Sequence, residues 1–320
     1  MTQGKPILAL TGGVGGAKLA LGLANVLPDD ALHLLVNTGD DFEHLGLHIS
    51  PDIDTLLYTL SGRANAAQGW GIEGETFHAL DALGGLGGDT WFLLGDRDLA
   101  THLWRSERLA AGQSLIEVTA GLAHAMGIGC AVHPMSADAV RTTVHCAGRD
   151  LPFQHYFVRE RCEPAVTGFT FQGIETAAPN PDVMALLEGG AVGGIVVCPS
   201  NPYVSVDPVL RLPGLADALV AADAPVALVS PIVAGMALKG PAAKMMAELG
   251  VPATAQEVAR HYAERYPGLV DHFVIDSSDA KLVPGIEDLG MAVAVAPTVM
   301  HSLEDKVRLA RTVLELLETD

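Results

Sequence analysis

The first thirty-six residues constrain the fold most. Pro6 to Thr11 is a short apolar run that enters Gly12-Gly13-Val14-Gly15-Gly16-Ala17-Lys18. Leu19 to Leu27 then reads as a helix stopped by Pro28-Asp29-Asp30, and Leu32 to Val36 is a second apolar run. Strand, glycine turn, helix and strand make a βαβ unit, and its crossover commits the chain to a parallel sheet. The expectation is a doubly wound, mostly parallel, Rossmann-like α/β fold.

Four glycines between strand and helix let backbone N–H groups approach a phosphate at the positive end of a helix dipole. The same glycines also suit a tight structural turn. A Walker loop would end in Gly-Lys-Ser/Thr, where Ala17-Lys18-Leu19 stands. A dinucleotide fingerprint from Gly13 would want glycine at position 18, which is Lys18. Neither template is met in full.

Asn37-Thr38-Gly39-Asp40-Asp41 closes the second strand, and Ser50-Pro51-Asp52-Ile53-Asp54-Thr55 opens a helix, so four aspartates fall within fifteen residues. Ser50 suits the N-cap, Pro51 the first helical position and Asp52 the first turn, with Ile53, Leu56, Leu57 and Leu60 as the inward stripe. Both acidic pairs can face the crevice beyond the carboxyl ends of the strands, where ligands of open α/β sheets bind.

The rest of the chain alternates helix and strand. Trp91 to Leu94 is an expected strand ending in Gly95-Asp96-Arg97-Asp98 before a helix from Leu99. Asp96 and Asp98 either cap that helix or line a charged crevice in which Arg97 meets phosphate. Trp70 either lines a site for a flat ring or packs structurally. Ser114 and Thr254 open capping boxes. Arg141 to Phe171 breaks the rhythm and reads as an inserted β-hairpin lobe, about 141–175, on a single α/β domain. Ile195 to Val197 leads into Pro199-Ser200-Asn201-Pro202, a stiff loop at a strand end that is suited, with Ser205, to ligand contact.

Lys and Arg number 19 against 38 Asp and Glu, a formal charge of −19. That field repels nucleic acid and anionic membrane surfaces, so neither partner is expected. An anionic substrate needs cations or amide dipoles to offset it, which directs attention to a metal at the carboxylates. Cys130, Cys146, Cys162 and Cys198 show no zinc or redox-motif spacing and are expected to be reduced. With no signal-peptide layout and no apolar run of about 18 residues, the expected location is the cytoplasm. The acidic and hydroxyl-bearing strand ends fit phosphoryl or phosphodiester transfer with Mg²⁺ held by carboxylates.

The glycine loop, Asn37 to Asp41, Ser50 to Tyr58, Gly95 to His102, Pro199 to Pro202, Val229-Ser230-Pro231-Ile232 and Lys239-Gly240-Pro241-Ala242 together resemble the 2-phospho-L-lactate transferase family of coenzyme F420 biosynthesis. The resemblance implies transfer of a phospho-lactyl-type group (lactyl, enolpyruvyl or glyceryl phosphate) from a guanosine diphospho donor to the ribityl hydroxyl of the deazaflavin Fo, with release of GMP. It implies Mg²⁺ on Asp40, Asp41, Asp52 and Asp54, with Asp41 and Asp54 catalytic. Substrate contacts then fall to Gly12, Gly13, Gly15, Gly16, Lys18, Asn37, Thr38, Asp96, Arg97, Asp98, Ser200, Asn201, Pro202 and Ser205. A homodimer is the family-level expectation. Pro297 departs from the aspartate of some relatives, so that segment is left out of the expected site.

Two other readings share these residues. One is a nonenzymatic regulator binding a nucleotide sugar or dinucleotide on the same sheet. The other is an NAD-dependent dehydrogenase, which rests on the glycine loop alone and lacks a separate catalytic His or Lys motif.

Overall fold

A computed structural model describes residues 4–65, 68–237 and 240–318, so Lys239 of the Lys-Gly-Pro-Ala motif lies outside the described residues. The central sheet contains β1 (Ile7–Thr11), β2 (Leu32–Val36), β3 (Ala131–Pro134), β4 (Gly194–Val197), β5 (Val226–Val229), β6 (His272–Asp276) and β7 (Ala292–Ala296). All pair in parallel, in the spatial order β3-β2-β1-β4-β5-β6-β7. This is the dinucleotide-type strand order with one further strand. The order reverses between β1 and β4, and their carboxyl ends flank the resulting crevice.

Alternation along each strand explains the two-sided burial. Leu8 and Leu10 of β1 face one core with Ile195, Val197 and Leu228, covered by helices Pro181–Glu188, Leu215–Ala221 and Ala255–Arg265. Ile7 and Ala9 face the other, with α1 (Gly13–Ala24), α2 (Pro51–Leu60) and the helix Leu303–Leu316. Gly22 lets α1 and that last helix touch: a Cβ there would lie 2.2 Å from the Lys306 carbonyl.

The expected lobe is a three-stranded antiparallel sheet of Arg141–Cys146, Arg149–Pro152 and Val166–Gln172. Its own small core includes Val144, Leu151, Phe153 and Tyr156, and it reaches the main body through Val204 and Met245.

Two sequence expectations are corrected. Trp91 to Leu94 is not a strand but a loop that packs Phe92 edge-on to Phe42, with ring centroids 4.9 Å apart. An apolar run of that length does not distinguish strand from aromatic loop. The strand absent from the sequence reading is β3, whose Ala-Val-His-Pro carries a proline tolerated at the sheet edge. The helix expected from Leu99 also begins earlier: α3 is Asp96–Ala110, so the Asp-Arg-Asp block is its first turn.

Candidate active site

At the switch point, the loops after β1 and β4 are locked together. The Gly12 N–H donates to Ser200 Oγ at 3.2 Å, and the Gly13 N–H donates to Asp52 Oδ1 at 2.8 Å. Side chains are excluded here by contact. A Cβ on Gly12 would lie 2.8 Å from Ser205 Cβ and 2.9 Å from Asp52 Oδ2; on Gly15, 2.4 Å from the Pro199 carbonyl; on Gly16, 2.3 Å from Thr11 Oγ1. Gly13 is held by its left-handed φ of 65° instead. Two loop amides are thus already engaged. The next amides, of Val14 and Gly15 in the first turn of α1, have no carbonyl one turn back, the arrangement that suits an anion.

A cavity of about 610 Å³ opens over this junction. Of the expected residues, Gly12, Gly13, Gly15, Lys18, Asp40, Asp52, Asp54, Asp98, Ser200, Asn201 and Ser205 line it. Lys18 donates to the carbonyl of Met300, another lining residue, at 3.0 Å. Asn37 stands behind the wall, where its Nδ2 donates to Asp52 Oδ2 at 2.9 Å and its Oδ1 accepts from Gly39 N–H at 2.9 Å. Thr38, Gly16 and Pro202 also lie off the wall.

The four aspartates of the acidic stretch separate into different environments. Asp52 accepts from Gly13 and Asn37. Burial nonetheless pushes its carboxyl up to about 6, with the Asp41 charge adding to the effect. Burial and the charges of Asp52 and Asp41 push Asp40 well above the carboxylate range, and Asp40 Oδ1 is buried with no hydrogen-bond partner. Asp41 does not line the cavity, and its Oδ1 too is buried with no hydrogen-bond partner. Its Oδ2 accepts from the Ser50 hydroxyl at 2.8 Å and lies 3.0 Å from His48 Nε2, pinning the hairpin Phe42–His44/Leu47–Ile49. Ser50 therefore occupies the N-cap position without capping α2, because its hydroxyl is used on Asp41.

Asp54 meets the guanidinium of Arg105 with both oxygens, and Arg105 is fully buried. Asp98, on the first turn of α3, accepts from the Tyr58 hydroxyl at 2.6 Å, and its Oδ1 lies 3.3 Å from His102 Nε2. Burial alone would raise the Asp98 carboxyl, but His102, Tyr58 and Arg105 hold it below the usual range. Its neighbours in the motif serve the scaffold. Asp96 accepts from Thr76 Oγ1 and from the His78 and Ala79 N–H groups at the start of helix His78–Gly85. Arg97 is exposed on the far side of α3, where Nη1 donates to the Glu73 carbonyl at 3.2 Å.

Beyond the carboxylates the wall turns apolar and aromatic, through Trp70, Phe92, Leu93, Phe153 and Phe157. Thr298 to His301 also line the cavity, so the segment after β7 belongs to it despite Pro297. Tyr58 and His102 end two of the motifs that carry the family resemblance but receive no role from the sequence, and Arg105 lies beyond both motifs. Their signal was present: Asp98, His102 and Arg105 recur at helical spacing on one face of α3, a face that polarity alone assigns to solvent.

The chain matches the family described as 2-phospho-L-lactate transferase CofD over residues 7–295. It belongs to the CofD family. It is 41% identical over 318 residues to a phosphoenolpyruvate transferase from Kitasatospora aureofaciens, covering 98% of each chain. It is 35% identical over 309 residues to a 2-phospho-L-lactate transferase from Methanosarcina mazei, covering 97% of this chain and 99% of that one. In fold it is similar to the solved structure of a UPF0052 family protein from Bacillus halodurans, with a TM-score of 0.65, 14% identity, and coverage of 97% and 99%.

As a CofD family transferase of coenzyme F420 biosynthesis, the chain has an enzyme's cavity at the switch point. Among the described residues no group of three or more His, Cys, Asp or Glu is arranged to hold a metal ion. Mg²⁺ does not require one: it is commonly held by one or two carboxylates together with water and substrate phosphates. The donor set that fits is Asp40 with Asp52, two carboxylates that line the cavity, and Asp40 Oδ1 is a buried oxygen with no hydrogen-bond partner. Among the described residues no helix is long and apolar enough to cross a membrane.

Proposed function

We propose that this chain transfers a phospho-lactyl-type group (lactyl, enolpyruvyl or glyceryl phosphate) from a guanosine diphospho donor to the ribityl hydroxyl of Fo. One observation carries the reading: one cavity is lined by two chemically different sets of groups. The α1 N-terminus with Lys18, Asp40 and Asp52 suits a diphosphate. Trp70, Phe92, Phe153 and Phe157 offer apolar rings to a flat heterocycle.

In this reading the donor's phosphates lie against the Val14 and Gly15 amides, with the Lys18 ammonium beside them. The acceptor hydroxyl oxygen bonds to the phosphorus bearing the acid, the bond from that phosphorus to the guanylyl oxygen breaks, and GMP leaves with the electron pair. The hydroxyl proton is released to the carboxylate-lined cavity. Mg²⁺ on Asp40 and Asp52 would neutralise phosphate oxygens. The chain's own contribution is orientation: the Gly13–Asp52 and Gly12–Ser200 bonds fix the donor-binding groups relative to the sheet, and the aromatic wall fixes the acceptor. A nonenzymatic regulator needs no second wall for a flat ring, which favours the transferase.

Fo fluoresces, and titration with the purified protein, with and without Mg²⁺, tests the reading directly. Saturable binding, followed by GMP release when donor is added, is expected. No binding under either condition would sink it.

A further inference from the structure

We propose that the buried His102–Arg105 pair is a positioning bracket that joins Asp54 of α2 to Asp98 of α3 and fixes both carboxylates on the cavity wall, beside the Phe92-Leu93 loop that leads into α3. The proposal rests on the transferase reading above. Asp54 and Asp98 belong to different helices, and both line the cavity. Between them lies a run of close polar groups, whose last link, His102 Nε2 to Asp98 Oδ1, is a 3.3 Å approach with no hydrogen bond formed. Arg105 has no exposed surface and holds both oxygens of Asp54. The same guanidinium places Nη1 3.1 Å from His102 Nδ1 and 3.4 Å from the His48 carbonyl.

A guanidinium has only hydrogens to offer, so His102 Nδ1 is the acceptor and the ring hydrogen belongs on Nε2. That nitrogen lies 3.3 Å from Asp98 Oδ1, the oxygen that also accepts from Tyr58. Both contacts fall on Oδ1 and leave Oδ2 for a ligand at the wall. The tautomer of His102 is therefore set by the residue that binds Asp54, and its Nε2 hydrogen is left to face Asp98. For scaffolding alone, the Arg105–Asp54 pair would suffice to hold α2 against α3. His102 adds a link to a second cavity carboxylate, and hydroxyl groups of a bound acceptor are what two fixed carboxylates would orient.

His102→Phe and His102→Gln, compared with wild type in steady-state kinetics with Fo and a guanosine diphospho donor, test the bracket. Glutamine can accept from Arg105 through Oε1 and donate to Asp98 through Nε2; phenylalanine can do neither. The Phe variant is expected to lose about 30-fold or more in kcat/KM for the acceptor, with the donor KM within about twofold of wild type, and Gln to restore most of the loss. Equal changes in both substrates' parameters, no change, or Gln no better than Phe would overturn the bracket. If His102→Phe does not fold, Tyr58→Phe removes the other donor to Asp98 Oδ1 and carries the same acceptor-selective expectation. Unaltered acceptor kinetics there overturn the proposal. Wild-type protein with no turnover would instead bring down the transferase reading, and the bracket with it.

Discussion

The Gly13 amide donates to the Asp52 carboxylate across 39 residues of sequence, so the glycine loop and the acidic helix are one structural unit. Gly12→Ala tests that unity. Gly12 has an extended φ of −159°, so alanine meets no backbone strain there, but its methyl would press on Ser205 and Asp52. Overpacking of this kind costs about 1–3 kcal/mol in stability. Displacing Asp52 should lower kcat by about 10–100-fold. Urea unfolding together with initial rates would show both effects; full activity would mean that Asp52 placement is not critical.

Protons and Mg²⁺ should compete at the Asp40–Asp52 pair. The folded-state pKa of Asp52 is raised from 3.8 to about 6, so between those values the folded protein holds more protons there than the unfolded chain. The group's contribution to stability is then fully present below about pH 4 and is lost as pH rises through about 6. Asp40 shifts in the same direction. Metal-free thermal melts should therefore show this pair weakening the fold over that window, and the upward shift produced by added Mg²⁺ should grow over the same window. Asp40→Asn should raise the metal-free melting temperature at pH 7.5 and shrink the Mg²⁺ response. An Mg²⁺ shift that is equally large at pH 5 and pH 7.5 would argue against this site.

Breaking the Arg105–Asp54 pair from one side should be costly. Arg105→Met leaves Asp54 buried without its counterion, a loss of about 3–5 kcal/mol. The double variant Arg105→Met/Asp54→Leu should recover much of that stability in chemical denaturation, because no lone charge remains. It should not recover activity.

Trp70 is 43% exposed at the cavity and is free to meet a ring. Trp70→Ala should weaken Fo binding about 5–10-fold in a fluorescence titration, the scale of one aromatic contact. Donor affinity, measured by calorimetry, should be unaffected. Unchanged Fo affinity would place the heterocycle elsewhere.

Asp41 offers a contrast among the acidic residues. Its ties to Ser50 and His48 anchor a hairpin that meets the cavity wall through Ile49, while Asp41 itself does not line the cavity. Asp41→Asn should cost about 1–3 kcal/mol in stability, while the KM for Mg²⁺ changes little. A large rise in that KM would return Asp41 to the metal.

Much of this was legible in the sequence because it is encoded locally. Apolar runs, a glycine turn and a proline stop specify the first βαβ unit, and the crossover rule extends it to a parallel sheet. The lobe, the capping box at Ser114 and the strands β2 and β5 follow from similarly short-range patterns. The acidic crowding between Asp40 and Asp54 was also plain. What each aspartate does was not. Asp52 answers to Gly13, Asp41 to Ser50 and His48, and Asp54 to Arg105, 51 residues away on another helix. Gly12 and Ser200, 188 residues apart, meet because β1 and β4 are neighbours in the sheet. Residue type and spacing determine which elements form and where charge gathers. Only the packed arrangement of those elements decides which charge is paired and which faces a ligand, because burial and counterion distance are properties of the folded chain.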